Sequence, residues 1–180
     1  MTGTQSNDNV ISIYQIDESE IDLAHPQKSW DTSVLIKSTQ LEDFFSRYGW
    51  NISLASPNVW NTGFSGYQGY FPIKASLTDT YLSFEVCPLI DSNLYLTTSL
   101  TSLDERLFKS ALALNYDLQF VKLGLNIKGE LTLSCQMINM GIDYEKFTRI
   151  VEILGYYCDE LREYFLELIH EGRISYHHQA

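Results

Sequence analysis

The sequence predicts an α+β protein: a short helix, a three-stranded antiparallel meander, a second helix, a β-hairpin and a long C-terminal helix packed on one sheet. Three observations carry that expectation. Around the Thr78-Asp79-Thr80 turn, Phe71, Ile73, Ala75 and Leu77 alternate with polar residues, and Leu82, Phe84 and Val86 do so on the return. This is the period of half-buried strands. A second alternating pair, Val121 to Ile127 and Leu131 to Met137, meets at Lys128-Gly129, a tight-turn signal. Finally, Phe147, Val151, Leu154, Cys158, Leu161, Phe165 and Leu168 recur in steps of four and three residues, with Ile150, Tyr157 and Tyr164 widening the stripe. That spacing keeps one helical face apolar, and at about 1.5 Å per residue the helix would be roughly 40 Å long.

Taken in order, Met1 to Asn9 is small and polar, and residues 1–30 are expected to form a partly disordered extension. Within it, Val10 to Ile16 has strand composition, and Asp17, Glu18, Glu20 and Asp22 read as a solvated acidic loop. A single α+β domain is expected over residues 31–172. It opens with a capping box, the Thr39 hydroxyl facing the Glu42 amide and the Glu42 carboxylate the Thr39 amide. Leu41, Phe44, Phe45 and Tyr48 then share a face, and Gly49 supplies a left-handed stop. Trp50, Ile52 and Leu54 alternate on a strand that Pro57 ends. After the Tyr70–Leu77 and Tyr81–Cys87 hairpin, Asn93 to Ser99 reads as the meander's third strand. Lys74 and Glu85 fall on polar faces where they can oppose each other.

Ser102 and Glu105 form a second capping box, followed by Leu103, Leu107, Phe108, Ala111, Leu112 and Leu114 on a broad apolar face. Asn115 is the expected end of that helix. Asp143 caps the final helix, with Glu145 near the positive end of its dipole, and Gly172 is its expected stop. Residues 173–180 read as a flexible tail. The adjacent His177 and His178 within it are weak evidence for metal binding.

Composition narrows the function. At 180 residues a chain can bury about 70% of its unfolded surface. A net charge of -11 and a pI near 4.6 argue against nucleic acid or an anionic membrane as a direct partner. No apolar run approaches the ~18 residues of a membrane span. The N-terminus lacks the basic and apolar regions of a signal peptide, so the cytoplasm is the expected compartment. Cys87, Cys135 and Cys158 include no close pair, and neither a zinc site nor a redox site is expected. There is no phosphate-binding glycine loop, nucleophile elbow or HExxH pair, and no second titratable group accompanies Glu85 at a spacing that marks catalysis. No cofactor, metal or catalytic residue is assigned, and an enzyme is not expected.

The segment Asn58 to Gly69 (NVWNTGFSGYQG) reads as irregular, with aromatics between glycines. A loop needs no such aromatic content, so these side chains either fold onto the core or await a partner. Tyr48, Trp50, Trp60, Phe64, Tyr67 and Tyr70 are therefore the candidate partner-binding residues. Trp60→Ala and Phe64→Ala would weaken binding more than folding, and an edge strand near Tyr70 could add backbone hydrogen bonds to a peptide.

The stretch Ser102 to Leu154, SLDERLFKSALALNYDLQFVKLGLNIKGELTLSCQMINMGIDYEKFTRIVEIL, resembles the YbjN-like family and the type III secretion chaperone (Tir/CesT) fold it shares. The resemblance lies in the passage from helix through a short-turn hairpin and in Gly141-Ile142-Asp143 entering the last helix. It implies a non-enzymatic domain, often dimeric, that holds an extended partner segment, and it supplies no catalytic residues. The expected function is thus a chaperone-like protein-binding module with a protein or peptide partner and a homodimeric assembly. The alternative is a small-ligand-binding regulatory domain, its pocket lined by Trp50, Trp60, Phe64, Tyr67 and Tyr70.

Overall fold

The computed structural model describes residues 35–94 and 101–177. In chain order these form α1 (Ser38–Tyr48), β1 (Ser53–Ser56), β2 (Val59–Gly66), β3 (Gly69–Leu77), β4 (Tyr81–Val86), a 3-10 turn (Ser92–Leu94), α2 (Thr101–Asp117), β5 (Val121–Leu125), β6 (Leu131–Ile138) and α3 (Tyr144–His177). The strands make one antiparallel sheet in the order β1-β2-β3-β4-β6-β5. This is the α+β class expected, with the long helix packed on the sheet.

Helix α1 buries Leu41, Phe44 and Phe45. It begins earlier than the Thr39–Glu42 box requires: Lys37 N–H donates to Gln40 Oε1 at 3.0 Å. The Glu42 carboxylate instead accepts from Trp60 Nε1, also at 3.0 Å. Gly49 ends the helix at φ 82°, and Trp50 N–H closes back on the Phe45 carbonyl at 2.9 Å. Only glycine enters that left-handed region without strain.

The chain then departs from the expected loop. Val59 to Gly66 is a strand, paired with β3 from Val59↔Ser76 to Gly66↔Gly69. Trp60, Thr62 and Phe64 alternate inward on it, Trp60 and Thr62 being buried and Phe64 partly buried. Gly63 faces outward because Tyr70 occupies the space over it: a Cβ there would lie 2.2 Å from the Tyr70 hydroxyl oxygen and 2.6 Å from the Phe71 carbonyl oxygen. The meander thus starts one hairpin earlier than expected. Strand β1 is also shorter and later than the Trp50–Leu54 run, since Trp50 and Ile52 turn in against the core.

Beside β4 the sheet is continued by β6, from Tyr81↔Ile138 to Val86↔Leu133. Of the expected Asn93–Ser99 strand, the first residues lie in the 3-10 turn and residues 95–99 lie outside those described, as do the Val10–Ile16 run, the acidic loop and His178. Lys74 does stand opposite Glu85 in the β3–β4 register.

Helix α2 buries Leu107 and Ala111 but leaves Leu112 exposed, so its apolar face is narrower than expected. The Ser102 side chain lies outside the described residues. Asn115 does not end α2. Its side chain brackets the backbone of Leu123, accepting from N–H at 2.8 Å and donating to C=O at 2.9 Å, which ties the helix to the edge strand β5. Asn139, buried at 2% exposure, accepts from Ile36 N–H at 3.0 Å and donates to the Thr78 carbonyl at 2.8 Å. The buried Asn139 amide is thereby paired, as burial demands.

Asp143 caps α3 by accepting from Lys146 N–H at 2.8 Å. Its buried stripe runs Phe147, Val151, Leu154, Cys158, Leu161, Phe165 and then Ile169 rather than Leu168. Gly172 does not stop the helix, which continues to His177. A backbone hydrogen-bond ladder 34 residues long tolerates glycine, here Gly155 and Gly172, at a cost of about 1 kcal/mol each. Leu133 and Leu161 share the core, while Lys74, Ser83, Glu85, Lys122 and Gln136 populate the opposite, polar face of the sheet.

Candidate functional site: an aromatic groove

Where the chain leaves α1 it does not pair at once with β2. The gap between Tyr48–Trp50, the end of β2 and the middle of α3 is an open groove of about 560 Å³. Tyr48, Trp50, Phe64 and Tyr67 line one side and Glu152, Gly155, Tyr156 and Asp159 the other.

Its floor continues the core. Phe45 and Trp50 stack at 6.2 Å and 16°, Trp50 and Phe64 at 6.2 Å and 7°, and Phe64 and Phe71 at 5.2 Å and 25°. Tyr48 meets Trp50 edge-on at 5.4 Å and 89°. Offset-stacked and edge-to-face pairs are favourable arrangements of the ring quadrupoles, so the floor is pre-formed. Tyr67, by contrast, stands fully exposed at the rim.

The wall belongs to α3. Gly155 leaves the groove open toward Phe64, whose ring lies 3.7 Å from where a Cβ would stand. The Asp159 carboxylate accepts from Gln68 N–H at 2.8 Å, and Arg162 donates to the Tyr70 carbonyl at 3.1 Å while lying 4.8 Å over the Phe71 ring. Two side chains of one helix thus hold the tip of the β2–β3 hairpin. The Tyr48 hydroxyl has its pKa raised, first by burial and then by the charge of Glu152 and by Tyr144.

Of the six candidate residues, the structure brings Tyr48, Trp50, Phe64 and Tyr67 together. Trp60 lies in the core at 1% exposure, and Tyr70 projects from the other face of the hairpin. Near Tyr70, β3 is paired with β2 but not with β4, which covers it only from Ile73 to Leu77. The end of β2 is uncovered as well among the described residues: β1 pairs with it only at Val59, Trp60 and Asn61. Reading the sequence missed Glu152, Gly155, Tyr156 and Asp159. A glycine inside an amphipathic helix was the one available signal.

On the polar face, Asn61, Lys74, Glu85, Cys87 and Asn126 line a second hollow of about 420 Å³. There Asn126 Nδ2 donates to Cys87 Sγ at 3.2 Å and to Glu130 Oε2 at 2.6 Å. Burial, then the charge of Glu130, raises the Cys87 thiol pKa, the reverse of what activates a thiol nucleophile. Among the described residues no three His, Cys, Asp or Glu side chains are grouped to hold a metal. Among them also, no helix is long and apolar enough to cross a membrane.

Fold and groove together define a class: an α+β domain whose helices line one face of an antiparallel sheet and leave an aromatic cleft beside its second strand. Among solved structures the chain is similar to that of YbjN, described as a candidate transcription regulator from E. coli. The TM-score is 0.49 at 16% identity, covering 74% of this chain and 93% of that one. The similarity concerns the fold alone. No family model matches the sequence, and no curated protein matches it.

Proposed function

We propose that the chain is a non-enzymatic protein-binding module, a chaperone-like adaptor that holds an extended segment of another protein in the aromatic groove. The observation that carries this reading is Gly155. In the interior of a helix glycine costs about 1 kcal/mol relative to alanine, and here the missing side chain is what keeps the floor beside Phe64 open. Rings that are fixed by the core yet reach the surface suit a contact that is alternately wet and covered. An open cleft with a fully exposed Tyr67 favours a macromolecular guest over the enclosed pocket a small ligand prefers. The three unpaired thiols suit a reducing cytoplasm, and a second copy of the chain is the expected further partner.

Selection of random peptides displayed on phage against the full chain tests the proposal. Gly155→Leu fills the cleft, and its urea midpoint reports whether the fold persists. The expected result is a shared motif that binds the parent chain and is lost on the filled variant. No enrichment, or enrichment that survives the filled cleft, overturns the reading.

A further inference from the structure

Resting on the groove as a peptide site, we infer that its occupant is an extended segment carrying an arginine or lysine. The cationic group of that residue lies among Tyr48, Trp50 and Tyr156 beside Glu152, and the segment's backbone follows the uncovered end of β2.

The charge argument comes first. Among the described residues the groove lining holds two carboxylates, Glu152 and Asp159, and neither a lysine nor an arginine. Asp159 is engaged by the Gln68 amide. The ion pairs of the described residues, Asp43–Arg47, Glu105–Lys109 and Arg106–Glu171, do not include Glu152. Arg149, one turn before it, is not within ion-pair distance. A purely apolar guest would strip water from the Glu152 carboxylate and give nothing in return, a costly step. A cation converts that cost into an attraction and gains from the ring faces as well.

The same protein already packs guanidinium groups on rings, Arg47 at 3.8 Å over Tyr144 and Arg162 at 4.8 Å over Phe71. An anionic guest finds no such complement, because the cleft lining offers it no basic side chain and the chain carries a net charge of -11. Extension follows from the sheet. Among the described residues no strand lies on the β1 side of β2 beyond Asn61, although β2 runs on to Gly66, and Phe64, Ser65 and Gly66 form part of the cleft. A strand added there would turn alternate side chains into the groove and the others to solvent.

Two measurements test the inference. The first is display selection run in parallel on the parent chain and on Glu152→Gln. An arginine or lysine is expected at one fixed position in the first pool and not in the second. The second takes the best parent-selected peptide with its basic residue replaced by norleucine and compares both peptides on both proteins by fluorescence anisotropy. The replacement should weaken binding to the parent about tenfold and to Glu152→Gln about twofold or less, which isolates the pairwise coupling. A groove-dependent motif without a basic residue, or an equal loss on both proteins, overturns the cation while leaving the peptide site standing. A selection that enriches nothing overturns both.

Discussion

Trp60 is fixed on two sides, its ring 1% exposed against Phe45 at 6.2 Å and its Nε1–H donated to Glu42. Truncation removes a large buried area and leaves a cavity, so Trp60→Ala should cost ~3–5 kcal/mol, read as a fall in the urea midpoint. An unchanged midpoint would show that the ring is not core. This reverses the sequence-based ordering for Trp60: loss of folding, rather than loss of binding, is the expected first effect. Phe64 at the groove floor keeps its binding role. The buried thiols make a second residue-level prediction. Burial pushes the Cys135 thiol up to about 11 and the Cys158 thiol up to about 12, from an ordinary value of 9.0. Folding thus favours the neutral thiol, so this contribution is fully present below pH 9 and is lost as pH rises from there toward the folded values. By pH 10 each thiol should remove about 1 kcal/mol of stability. Comparing urea midpoints at pH 8 and pH 10 for the parent and Cys158→Ala isolates the effect, and parallel pH dependences would refute it.

Gly63 in β2 and Gly155 in α3 show how two glycines can have opposite meanings. At Gly63 a methyl group would meet the Phe71 carbonyl, a backbone atom that cannot step aside, so Gly63→Ala should destabilise by ~1–3 kcal/mol. At Gly155 a methyl group meets only the Phe64 ring at an ordinary 3.7 Å, so Gly155→Ala should stabilise by ~0.5–1 kcal/mol and shallow the cleft. Thermal unfolding of the two variants checks the pair; shifts of the same sign would refute it. The contrast also explains what the sequence could disclose. Phe147 to Phe165 was legible as a helix because its period is local and uninterrupted. Val59 to Gly66 was not legible as a strand, because Gly63 and Gly66 look like loop punctuation until Tyr70 and Asp159 are seen filling their space. Half of the groove was legible from aromatics clustered in sequence. Its other wall was not, since Gln68 and Asp159 meet across 91 residues and no periodicity reports such a meeting.

At the scale of the whole molecule, the strand order separates two surfaces. Strands β1 and β2, which border the groove, stand at one edge of the sheet, and β5 stands at the other. On and near β5 and its companion α2, Leu112, Tyr116, Phe120, Leu125 and Ile127 are exposed, the first at 72% and Tyr116 at 93%. Leu112 and Tyr116 are four residues apart and so share one helical face. Large apolar side chains grouped at one end work against solubility unless covered, and a second copy is the occupant expected by the homodimer reading. Pairing through this end would leave both grooves unobstructed, so each protomer could hold its own segment and a partner with two such segments would gain avidity. Light scattering after gel filtration at micromolar concentration should give a mass near twice the 20.7 kDa of one chain. The double substitution Leu112→Glu and Tyr116→Glu should return it to one chain while peptide binding in the groove persists, because neither side chain lines the cleft. A parent mass near 20.7 kDa, or a dimer untouched by the two glutamates, would remove this end of the molecule as the interface.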